Sequence, residues 1–125
     1  MHKATMGWLG RAAAIAILSG AAAHASPAPL LLQSPTLSAD RIAFAYGGEI
    51  WTVPRAGGDA TLLVGGQGTA SAPVFSPDGN RIAYTANVNG NDDVFVVPAG
   101  GGQPTRLTWH PDRDAAVGWT PDGKN

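Results

Sequence analysis

Covalent hydrolysis needs a nucleophilic hydroxyl, a base within hydrogen-bond reach and donors for the developing oxyanion. Beyond residue 25 the serines are Ser26, Ser34, Ser38, Ser71 and Ser76. None stands in a Gly-x-Ser-x-Gly elbow, the sharp strand-to-helix turn that exposes such an oxygen. His110 is the one histidine of the same stretch, with Asp112 and Asp114 after it as carboxylates that would orient a base. His110-Pro111-Asp112 reads instead as a turn, because proline presets φ at a corner and aspartate bonds nearby amides. Asn87-Val88-Asn89-Gly90-Asn91-Asp92-Asp93 is rich in the oxygen ligands that calcium takes, yet it lacks the EF-hand spacing and its distal glutamate. A solvated hairpin tip is the expectation there. Gly65-Gly66-Gln67-Gly68 resembles a phosphate loop only in its glycines, since no Lys-Ser/Thr closes it and no helix start follows. A flexible connector is expected. The sequence therefore assigns no catalytic residue, no cofactor-binding residue and no metal ligand, and calls for no cofactor.

Charge removes further classes. Residues 1–25 carry Lys3 and Arg11 without an acid, then the apolar run Ala12-Ala13-Ala14-Ile15-Ala16-Ile17-Leu18 and an end at Ala23-His24-Ala25. A basic start, a short apolar centre and an A-x-A end predict a secretory signal peptide over 1–25. The run is too short for a membrane-spanning helix, which needs about 20 apolar residues. Removal of this segment leaves six basic and nine acidic residues, a formal charge of −3 (6 − 9). Phosphate recognition needs a basic patch, so nucleic acid is not an expected partner. Cysteine is absent, so neither disulfides nor thiolate ligands are available. A periplasmic or secreted location is expected, with no membrane span after cleavage.

The elements that must position any site repeat along the chain. Ser76-Pro77-Asp78-Gly79 returns as Thr120-Pro121-Asp122-Gly123 at an offset of 44, and Trp51-Thr52-Val53-Pro54 returns at the same offset as Phe95-Val96-Val97-Pro98. Gly57-Gly58 and Leu63 match Gly101-Gly102 and Leu107 in the same way. Ser38-Ala39-Asp40 and Arg41-Ile42-Ala43-Phe44 match Ser76-Pro77-Asp78 and Arg81-Ile82-Ala83-Tyr84 at offsets of 38 to 40. The slack falls in turns, where Gly79-Asn80 adds two residues and 88–93 enlarges a loop. Pro-Asp-Gly corners, the Asn89-Gly90 hairpin signal and the strand stop at Pro98 divide each unit into four short strands. Units of about 40 residues with four strands each are the period of a propeller blade.

The predicted fold is all-β: a partial β-propeller of about two four-stranded blades plus the first strand of a third, preceded by a helical signal peptide. The units fall at about 35–72 and 73–116 within a propeller fragment over 26–125, with the third unit starting at 117. Phe44, Trp51, Tyr84 and Phe95 occupy matching strand positions and are assigned to blade packing. Trp109 and Trp119 flank an inter-blade segment, where core packing and peptide contact both stay open. Asp40, Asp78 and Asp122 are expected to hold turns through backbone amides. Repeats cover their faces only with neighbours, so further blades of the same longer chain are expected as partners, and the chain alone should be unstable or aggregate.

With those residues in view the chain resembles the Ser-Pro-Asp-Gly propeller repeats of TolB-type periplasmic proteins, tricorn-like proteases and some prolyl-oligopeptidase relatives. Leu30-Leu31-Leu32, Pro35, Ser38-Ala39-Asp40-Arg41-Ile42-Ala43-Phe44 and Gly48-Glu49-Ile50-Trp51-Thr52-Val53-Pro54 are similar to the opening of the tricorn protease propeller. Thr108-Trp109-His110 and the turn beginning at Gly118-Trp119 resemble exported bacterial homologues of that protease. The resemblance implies a large serine peptidase in which propellers precede a PDZ-like domain and a C-terminal catalytic domain; the propellers admit and guide a peptide or protein substrate, while serine and histidine residues further along do the chemistry. None of the family's catalytic motifs lies in these 125 residues, so no catalytic residue carries over. A TolB-type protein-binding scaffold, and the leading propeller of another hydrolase (a prolyl-oligopeptidase or amidohydrolase relative), remain as alternatives.

Overall fold

Short runs of branched and aromatic residues, cut by glycine and proline, give eight strands and no helix among the described residues. The structure is a computed structural model that describes residues 30–125; the expected signal peptide over 1–25 lies outside the described residues. Strands β1 (Gln33–Leu37), β2 (Arg41–Tyr46), β3 (Glu49–Pro54) and β4 (Thr61–Val64) form one sheet in that order. Strands β5 (Thr69–Phe75), β6 (Arg81–Val88), β7 (Asn91–Pro98) and β8 (Thr105–Arg106) form the second. Every pairing is antiparallel between sequence neighbours, as in a meander. The fold is the expected partial propeller.

The alternation of each strand decides how the sheets stack. In the first sheet Ala43, Ala45, Ile50, Thr52 and Val64 are buried on one face. In the second sheet Ile82, Tyr84 and Ala86 on β6 and Val97 on β7 join Ala70 and Phe75 of β5 in the same apolar cluster. Small side chains on the receiving face thus accept aromatic and branched ones from the incoming sheet, at the dense packing a core requires. Tyr84 stacks on Phe95 across the β6–β7 ladder, with ring centroids 5.7 Å apart. Burial pushes the Tyr84 phenol up to about 12, so it stays neutral. Two polar ties span the sheets: the Phe75 amide donates to Thr36 Oγ1 at 3.3 Å, and the Ala70 amide donates to the Gly48 carbonyl at 2.8 Å.

Three boundaries differ from the sequence reading. Strand β5 opens at Thr69, ahead of Pro73, because a bulge between Ser71 and Val74 lets the alanine-rich start pair with β6. Ala72 takes φ 48° there, and Ser34 takes φ 49° at the matching bulge in β1. The added residues at 88–93 lengthen strands and not the turn, since Val88 still pairs with Asn91. The turn itself is Asn89-Gly90, both at positive φ, as a tight hairpin of this kind demands. Residues 117–120, expected to open a third unit, form no ladder among the described residues. A strand is defined by its partner, and this segment is held by side chains instead.

Candidate functional site

The repeated corners assemble into one structure. Ser38, Ser76 and Thr120 hold the same position, and each hydroxyl donates to the aspartate two residues on, at 3.0, 2.6 and 2.6 Å. The same oxygens accept backbone amides from Arg41, Arg81 and Asn125 at 3.0, 3.0 and 3.1 Å. Asp78 and Asp122 also accept amides, from Asn80 at 3.0 Å and Lys124 at 3.1 Å. These bonds, the hydroxyl first, hold both carboxyl groups below the ordinary 3.8. The corners stack: a Cβ on Gly79, whose φ is +73°, would come within 3.2 Å of Ser38 Cβ. Arg81 bonds the Gly123 carbonyl, and its guanidinium lies 4.7 Å from the Trp119 ring centroid. A polar cleft of about 250 Å³ opens between the first two corners, beside Asp40, Arg41, Asp78 and Asn80. Its carboxylates already serve the turns.

The residues weighed for catalysis do not converge. Ser38 and Ser76 are committed to corners, and among the described residues no serine hydroxyl bonds His110. His110 is exposed; its Nδ1 accepts the Asp112 amide at 3.2 Å, which makes it the turn expected. The Asp114 amide donates to the Asp92 carbonyl at 2.8 Å.

The oxygen-rich hairpin is a locked element. Asp92 accepts from Asn87 Nδ2 at 2.6 Å and from Arg113 Nε at 2.7 Å, and these partners hold its carboxyl below 3.8. Asn91 Nδ2 reaches the His110 carbonyl at 2.8 Å. Asp93, read from sequence as part of a solvated tip, is fully buried and pairs with Arg106 at 2.6 Å. The reason is register: Asp93 lies opposite Ala86 on the face that meets the first sheet. Both carboxylates are occupied by arginines, and no cluster of three or more metal-ligating side chains occurs among the described residues.

The glycine connector is also tighter than expected. A Cβ on Gly68, at φ +82°, would fall 2.0 Å from the Asn87 carbonyl oxygen, so only glycine fits this crossing. Of the tryptophans, Trp109 is 69 % exposed, while Trp119 Nε1 donates to the Val74 carbonyl at 3.0 Å. Trp51 Nε1 is buried with no hydrogen-bond partner among the described residues. Two mainly apolar clefts lie on the two outward sheet faces. One, of about 360 Å³, runs beside Leu30, Leu32, Phe44, Tyr46 and Trp51. The other, of about 250 Å³, runs beside Ala83, Val94, Val96, Leu107 and Trp119.

Comparison with known proteins agrees with this geometry. The sequence profile of the tricorn protease N-terminal beta propeller domain matches residues 29–125. The chain belongs to that family. It is 35 % identical over 98 residues to tricorn protease homolog 1 of Streptomyces coelicolor, covering 78 % of this chain and 9 % of that protein. This tricorn propeller segment therefore spans less than a tenth of that relative's length. The crystal structure of the tricorn protease superposes with a TM-score of 0.67 over 77 % of this chain and 10 % of that one, at 24 % identity, which speaks for the fold alone. A putative TolB from Agrobacterium tumefaciens superposes with a TM-score of 0.69 at 26 % identity, over 78 % of this chain and 37 % of that one. No helix among the described residues is long and apolar enough to cross a membrane.

Proposed function

We propose that this chain is the non-catalytic propeller portion of an exported tricorn-like serine peptidase, binding or gating peptide substrates for a catalytic domain that these residues do not contain. The observation that carries the reading is the family match over 29–125 on a fold in which Ser38, Ser76 and His110 are spent on turns. Export to the periplasm or beyond rests on the residue pattern of 1–25. The likeness to TolB supports a second reading, a protein-binding scaffold of the envelope.

A transplant distinguishes them. Residues 29–125 replace the matching segment of the Streptomyces coelicolor homologue, and cleavage of a long and a short peptide is compared. The peptidase reading predicts retained cleavage, with the ratio of long to short substrate altered. Loss of cleavage in a chimera that still folds would favour the scaffold.

A further inference from the structure

An asparagine or aspartate followed by glycine can cyclise without an enzyme, because the uncrowded glycine nitrogen can reach the side-chain carbonyl carbon. The described residues hold three such pairs: Asp78-Gly79, Asn89-Gly90 and Asp122-Gly123. At the two corners both reacting groups are engaged. The Asp78 carboxylate takes the Ser76 hydroxyl and the Asn80 amide, and the Gly79 amide donates to the Ser76 carbonyl at 2.8 Å. Asp122 is held in the same way by Thr120 and Lys124, with the Gly123 amide on the Thr120 carbonyl at 2.8 Å. At the β6–β7 turn neither group is engaged. Asn89 and Gly90 are exposed, and among the described residues the Asn89 side chain and the Gly90 amide make no hydrogen bond. Asn80, Asn87 and Asn91 spend their side-chain amides on Asp78, Asp92 and the His110 carbonyl.

The backbone of this turn is one step from the reacting shape. Asn89 has φ 59° and Gly90 has φ 92°. Type I′ and type II′ turns share φ of about +60° at the first corner residue and differ by a flip of the peptide between the corners. Both fit a two-residue hairpin, and glycine takes either sign of φ at the second corner. The flip carries ψ of Asn89 to about −120°. That angle eclipses its Cβ with the Gly90 nitrogen, as closure of a five-membered ring requires.

We propose that Asn89 is a self-modification site of the folded chain, where the Gly90 nitrogen attacks Asn89 Cγ. The new C–N bond forms as the bond from Cγ to Nδ2 breaks. The Gly90 amide proton leaves with the side-chain nitrogen as ammonia, and a cyclic imide remains. Water then opens one imide carbonyl or the other, giving aspartate or isoaspartate at 89. Isoaspartate runs the backbone through the former side chain and lengthens the turn by one atom, which breaks the Val88–Asn91 pairing. The same hairpin ties down the connector that follows, through Asn91 on the His110 carbonyl and Asp92 on Arg113. The modification therefore loosens that connector. The inference goes beyond the peptide-gating reading and does not depend on it.

The test is peptide mapping by mass spectrometry after incubation in mildly alkaline buffer, with and without urea, with isoaspartate labelled by an isoaspartyl methyltransferase. It uses the full 125-residue chain and the Streptomyces coelicolor chimera, in which neighbouring blades are supplied. Folding is expected to slow the reaction at Asn89 less than about threefold, and isoaspartate formation at Asp78 at least about thirtyfold, since the corner must first open. Asn89→Ser should abolish ammonia release from the folded protein. The Asp114 amide, which bonds the Asp92 carbonyl at 2.8 Å, should exchange its hydrogen faster in the isoaspartate form. Protection of Asn89 equal to that of Asp78 would overturn the proposal, as would ammonia release that survives Asn89→Ser. Unchanged exchange at Asp114 would overturn the loosening of the connector.

Discussion

Single atoms at the corners carry the strongest expectations. Ser76 is buried, and its hydroxyl both donates to Asp78 and accepts the Arg81 amide. Ser76→Ala leaves that amide short of a partner and is expected to cost about 1–2 kcal/mol in chemical denaturation. Ser76→Thr should cost less, because Thr120 makes the same bonds at the equivalent corner. Asp93→Ala strips Arg106 of its carboxylate. Fully buried pairs lose about 3–5 kcal/mol when broken; Arg106 is about one-third exposed, so a loss of about 2 kcal/mol is expected. Trp51→Phe removes a buried donor without a described partner and installs the residue type found at Phe95. The gain offsets the lost ring area, and the unfolding free energy should stay within about 1 kcal/mol of the parent.

At the scale of elements, the hairpin and corners respond to acid. Asp78, Asp92 and Asp122 are all held below 3.8 in the folded chain. Their contribution is therefore complete above the unfolded value near 3.8 and is lost as pH falls from there through the lower folded values. Urea midpoints should be level from pH 7 to about pH 5 and fall between about pH 4 and pH 2. Asp92→Asn should make that decline shallower, since Arg113 and Asn87 then face a neutral amide; an unchanged profile would contradict the assignment.

The same scale shows what the sequence made legible. The four-strand period, the corners and the aromatic pairs follow from segments that recur in order along the chain. The start of β5 did not, because Thr69-Ala70-Ser71-Ala72 has little strand propensity and pairs only through the bulge beside Ala72. Asp93 was read as solvated because its neighbours are polar. Local composition does not reveal that the longer β7 carries it under the first sheet. Gly68 looked like a flexible joint; the carbonyl of Asn87 that makes glycine obligatory there comes from a strand nineteen residues away in sequence, the distance from 68 to 87.

For the whole molecule, stability rests on stacked sheets. Among the described residues the candidate catalytic groups are spread over strands, corners and a connector, with no serine hydroxyl bonded to His110, so the chain by itself should show no peptide hydrolysis; turnover abolished by replacing one serine would contradict that. Apolar faces on both outer sides explain why sheet packing, and not any buried polar site, dominates this segment of a tricorn propeller.

The face-to-face contact is open to direct measurement by NMR in methyl-labelled protein. Nuclear Overhauser effects are expected between the methyl groups of Ala43, Ala45 and Ile50 and the rings of Phe75 and Tyr84. If those methyl groups show contacts only within their own sheet, the stacked arrangement, and with it the propeller account, is contradicted.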